Sequence, residues 1–136
     1  MSPQEQSTLK MFRSLTPSEA ATWLINYSES QPERHSEGGL RVPNLVRKMS
    51  WPKPEQMRLA EHFLQNIPHA SAQFYEAFAS FMPVARLLAI IEDHMPDDES
   101  RQKLLFYYLL PALKKSIRSE RDRIAFEEFA IRYRRK

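Results

Sequence analysis

The chain has only two glycines, Gly38 and Gly39, side by side, while ten prolines are spread along its length. Tight turns between strands draw on glycine for positive φ, whereas proline suits the first turn of a helix, so this balance points to an all-α fold. The same two neighbours exclude, in standard form, the phosphate-cradling P-loop, the G-x-G-x-x-G dinucleotide turn and the G-x-S-x-G nucleophile elbow, all of which need spaced glycines. Cysteine is absent. That removes disulfides, thiolate nucleophiles, cysteine-bearing zinc sites and thiolate-held iron–sulfur clusters. A length of 136 residues is one domain's worth, and the expected architecture is a compact single-domain bundle over 1–136 of about six to seven helices.

Ser2-Pro3-Gln4-Glu5 and Thr16-Pro17-Ser18-Glu19 each combine a hydroxyl cap, a proline at the first helical position and a glutamate three residues after the cap. This spacing predicts helices over 3–14 and 17–28. Residues 29–41 carry no apolar period and read as an exposed loop. A short amphipathic turn follows at Val42, Leu45, Val46 and Met49, and Trp51 sits beside a segment stiffened by Pro52 and Pro54. Helical stripes then recur at Met57, Ala60, Phe63, Leu64 and Ile67, at Phe74, Ala77, Phe78 and Phe81, and at Val84, Leu87, Leu88, Ile91 and Met95. Pro96-Asp97-Asp98-Glu99 opens a helix expected to reach Arg118, about 21 residues or ~31 Å, with a kink at Pro111. Ser119 and Asp122 have capping-box spacing for a last helix over 120–134, closing a C-terminal antiparallel hairpin.

The stretch LLPALKKSIRSERDRIAFEEFA, residues 109–130, has a proline in its first helix, Leu113 and Ile117, and then Asp122, Arg123 and Ile124 opening the second. It resembles a HEAT-repeat hairpin, which implies a helical-pair architecture for that segment.

Chemistry-bearing residues are sparse in pattern. His35, His62, His69 and His94 form neither H-E-x-x-H nor E-x-x-H pairs, so no metal site and no cofactor is expected. His62 and His69 fall off the apolar stripes, as solvated side chains do; His94 ends a helix after Glu92 and Asp93, where the dipole favours a cation. Paired carboxylates exist at Glu92, Asp93, Asp97, Asp98 and Glu99, and helix capping accounts for the last three without an active site. These absences point to a protein that is not an enzyme.

The formal net charge is +3, and its placement says more than its size. Residues 114–136 hold nine Lys/Arg and four Asp/Glu, a balance of 9 − 4 = +5; residues 69–113 hold three and six, a balance of −3. Lys114, Lys115, Arg118 and Arg121 therefore mark a nucleic-acid surface as an alternative. The terminal RYRRK, with its basic tail over 132–136, has a simpler use: folding back onto Asp97, Asp98 and Glu99. The preferred reading is a non-catalytic protein-interaction module, of adaptor, inhibitor or neutralising type, whose charge polarity steers its partner. Trp51 is its first anchor, with Arg47, Lys48 and Lys53 beside it and Glu92, Asp93, Asp97 and Asp98 as an acidic counterpart. The alternative for Trp51 is packing over the edge of the core. Tyr107 and Tyr108 are further aromatic candidates, at least one of them expected in the core. The partner is another protein, with a homo-oligomer also open. The polar start MSPQEQSTLK and the interrupted apolar window 84–91 predict a cytoplasmic protein without a membrane span.

Overall fold

A computed structural model describes residues 3–30 and 42–134, and among these the chain is all-α. The helices are α1 (Pro3–Arg13), α2 (Pro17–Ser30), α3 (Val42–Val46), α4 (Lys53–Leu64), α5 (Gln73–Ala79), α6 (Val84–Asp93), α7 (Glu99–Lys114) and α8 (Glu120–Arg134). The count exceeds the expected six to seven because the amphipathic turn at Val42 closes as a short helix. Of the expected loop 29–41, Glu29 and Ser30 belong to α2, and residues 31–41 lie outside the described residues. The chain divides into two compact units, 1–59 and 60–136, with the division inside α4.

In the first unit, the capping box at the start of α2 is fully formed. The Glu19 N–H donates to Thr16 Oγ1 at 3.2 Å, and the Thr16 N–H donates to Glu19 Oε1 at 3.0 Å. Two of the amide donors left free at that helix end are thereby satisfied reciprocally. Phe12 is fully buried and meets Trp23 and Trp51 at 5.5 and 6.4 Å between ring centroids. Leu24, Leu45, Val46 and Leu59 complete this core, and α2 approaches α3.

In the second unit the closest helix pairs are α6 with α8 and α5 with α7. The N-cap of α6 is Pro83, which has no side-chain acceptor to offer. Asp122 of α8 supplies one: its buried carboxylate accepts the Ala85 N–H at 3.2 Å. Ser119 meanwhile caps α8 itself, accepting the Asp122 N–H at 3.1 Å. At the other end Arg132 pairs with Glu92 of α6. The start of α8 thus meets the start of α6 and the end meets the end, so the two helices run parallel. Helix α7 lies antiparallel between them in sequence, and its Phe106 contacts Phe129 and Tyr133 of α8 at 5.8 and 5.5 Å, completing the C-terminal hairpin.

Helix α7 is shorter than expected, ending at Lys114 rather than near Arg118. Ser116 explains the stop. Its hydroxyl donates to the Ala112 carbonyl at 3.1 Å and its N–H to the Leu113 carbonyl at 2.9 Å, which tightens the last turn. Arg118 then donates to the Ser116 carbonyl at 3.2 Å and to Ala79, at the end of α5, at 3.1 Å. Pro111 stands inside α7 on its exposed side, where the amide it lacks would have served the Tyr107 carbonyl.

Candidate functional site

Trp51 is not a surface anchor. It is 5% exposed, and its indole N–H donates to the Val46 carbonyl at 2.7 Å, satisfying the one polar atom it carries into the core. Arg47 and Lys48 in the turn after α3 and Lys53 at the start of α4 are exposed, while the tryptophan between them faces inward against Phe12. The three cations remain at the surface without the aromatic group that was to accompany them.

The acidic candidates do not converge. Glu92 binds Arg132 and accepts the Tyr133 hydroxyl at 3.3 Å; burial first, and then the Glu92 charge, raise the pKa of that hydroxyl above the ordinary phenol value. Asp93 and Asp97 are exposed. Asp98 is the N-cap of α7, accepting the Arg101 N–H at 3.1 Å, and that bond holds its carboxyl below the usual carboxylate range. Of the basic tail 132–136, whose Arg134 side chain lies outside the described residues, Arg132 does not answer the acidic turn at 97–99. Because α8 lies parallel to α6, Arg132 reaches Glu92 at the end of α6; Arg135 and Lys136 lie outside the described residues. Among the described residues, no three His, Asp or Glu side chains gather where they could hold a metal ion.

The histidines need two corrections. His69 is half-buried rather than solvated: its ring packs on Phe74 and Tyr75, and its Nε2–H donates to the Phe63 carbonyl at 2.8 Å. Burial lowers its pKa, partly opposed by that bond. Tyr75, wholly buried beside it, donates nothing to His69 but accepts its backbone N–H at 2.9 Å, and burial pushes its hydroxyl up to about 12. His62 is likewise half-buried, edge-on to Phe63 at 4.8 Å. His94 ends α6 as expected, but its Nε2–H donates to Glu61 of α4 at 2.8 Å rather than to the carboxylates next to it in sequence.

The four basic candidates of 114–121 are divided in use. Lys115 pairs with Glu76 at 2.8 Å and Arg118 serves the two carbonyls already described, whereas Lys114 and Arg121 are exposed. Further along α8, Arg123 is held between Glu120 and Glu127, and the hydrogen bonds it donates to those carboxylates raise its pKa. Among the described cations of this segment, Lys115, Arg123 and Arg132 pair with the protein's own carboxylates and Arg118 with carbonyls, while Lys114 and Arg121 do neither.

A surface not singled out as a whole from the sequence lies on the outward side of α7. Tyr107 is 72% exposed and Leu104 41% exposed, with Tyr108 half-buried edge-on to Tyr107 at 4.9 Å. Next to them, an open groove of about 180 Å³ runs between α7 and α8, lined by Phe106, Leu110, Phe129, Ala130 and Tyr133. The signal was present in the unbroken run LLFYYLLPAL at 104–113. Ten successive apolar residues put apolar groups on every side of a helix, and a helix with few neighbours buries only some of those sides. Compared with known proteins, the chain matches no family model, no curated protein and no solved structure.

Proposed function

We propose that the chain is a non-catalytic protein-interaction module, acting as an adaptor, inhibitor or neutralising partner, that binds through the outward face of α7 and the adjoining α7–α8 groove. The observation that carries this reading is the 72% exposure of Tyr107 beside exposed Leu104 and the groove. Single exposed apolar residues are ordinary, but a continuous aromatic and aliphatic surface has an unmet gain from burial of about 25 cal/mol per Å². Tyrosine suits such a role because its ring buries well and its hydroxyl tolerates water. The nucleic-acid alternative has less to draw on, since Lys115 and Arg118 are already engaged within the chain.

Affinity capture from native cell extract, with and without nuclease, tests this reading using wild type and the double variant Leu104→Ser/Tyr107→Ser. The expected outcome is a protein partner that survives nuclease and is lost with the variant. Capture that disappears with nuclease, or that persists undiminished in the variant, would overturn it.

A further inference from the structure

We propose that the partner of this face is an acidic amphipathic helix of another protein. The inference rests on reading α7 as an interaction surface and adds the chemistry of what it binds. Leu104, Tyr107 and Pro111 recur at i, i+3 and i+7, forming a stripe that spans ~10 Å along the outward side of α7. A straight stripe of this kind suits the matching apolar face of a second helix, laid along the groove beside it.

Charge selects which helix. Lys103 and Lys114 bracket the stripe, four residues before Tyr107 and seven after it, so both project from the same side about 16 Å apart. Both are exposed, and neither pairs with a carboxylate among the described residues, although Glu99 lies one turn before Lys103. Arg121 of α8 is also exposed without an ion pair among the described residues, whereas Arg101 pairs with Asp98, Lys115 with Glu76, Arg123 with Glu120 and Glu127, and Arg132 with Glu92. The two lysines at the ends of the apolar face are thus left for carboxylates from outside. The complementary helix carries apolar residues at i, i+3 or i+4, and i+7, with Asp or Glu about three turns apart.

The same charges disfavour a second copy. A two-fold contact through antiparallel α7 faces would set Lys103 of one chain against Lys114 of the other, like charge upon like. Nucleic acid fits less well too, because the centre of the face is aliphatic and aromatic, and two lysines at its ends make no continuous phosphate track.

The test is a titration of the full chain, ¹⁵N-labelled, with two helical peptides that share one Leu/Phe stripe but end in Glu in the first and Lys in the second. The Glu peptide should bind about tenfold more tightly than the Lys peptide. Resonances at 103–114 and 126–133 should shift most, and Lys103→Glu/Lys114→Glu should reverse the preference without changing the unfolding midpoint. Equal binding of both peptides at these residues would overturn the acidic assignment and leave the interaction face standing. No shift with either peptide would remove both. A random single-stranded oligonucleotide that shifts these residues more than the Glu peptide would overturn the proposal in favour of nucleic acid. Concentration-dependent dimerisation abolished by Tyr107→Ser would overturn it in favour of a second copy.

Discussion

Trp51 and Tyr107 are both large aromatics with lysines and a proline close by in sequence, yet the first is 5% exposed and the second 72%. The difference arises from the backbone that carries each. Trp51 sits in the irregular segment between α3 and α4, which lets neighbouring residues face water while the ring turns inward and gives its N–H to the Val46 carbonyl. Tyr107 sits on a helix whose successive side chains diverge by about 100°, so burying Leu105 and Leu109 forces Tyr107 outward. An irregular segment can hide one residue among exposed neighbours; a helix with apolar residues on every side must expose some of them.

This contrast is breakable by experiment, beginning with the largest effect. Trp51→Ala should cost about 3–5 kcal/mol of stability, as expected for deleting a buried indole. Denaturant unfolding measures this, and a loss below about 1 kcal/mol would mean the ring is not held in the core. Asp122→Ala should cost about 1–2 kcal/mol, because it leaves the Ala85 N–H at the start of α6 without its acceptor. Asp122→Asn, which keeps an acceptor oxygen, should recover most of that loss in the same measurement.

A smaller effect follows from His69. Burial lowers its pKa in the folded chain, so the folded state favours the neutral ring while the unfolded chain takes up a proton near 6.5. Its stabilising contribution is therefore complete above pH 6.5 and declines as pH falls towards the lowered value. Midpoints of urea unfolding measured through this range for wild type and His69→Gln should converge at low pH, and parallel curves would contradict the assignment. Smallest of all, Tyr107→Ala should change stability by no more than about 0.5 kcal/mol, because its ring is already in water. Set beside Trp51→Ala, this result separates a residue that holds the fold from one available for binding.

Much of the fold was legible in the residues. The reciprocal bonds of Thr16 and Glu19, the Asp98 cap and the span of α8 over 120–134 all follow from spacings of three or four positions. The end of α7 was less legible, because apolar periodicity continues past Lys114 while the stop depends on one serine hydroxyl turning back to Ala112. The candidate site was read only in fragments. Tyr107 and Tyr108 stand out as aromatics, but their environment depends on which sides of α7 are covered, and the prolines beside Trp51 point to a stiff segment without reporting which way its ring faces.

Composition and short-range spacing were enough to establish helices, their caps, and the exclusion of glycine-loop and cysteine chemistry, since those depend on residues within about one helical turn of each other. Which charges neutralise one another depended on packing. Asp122 reaches Ala85, Lys115 reaches Glu76 and Arg132 reaches Glu92 across 37, 39 and 40 positions of sequence. No periodicity reports such pairings, because they are set by the parallel placement of α8 on α6 and the approach of α5 to α7. That packing paired Lys115, Arg123 and Arg132 of the basic segment with the protein's own carboxylates and left Leu104 and Tyr107 on the outward side of α7 exposed, with exposed Lys103 and Lys114 to either side.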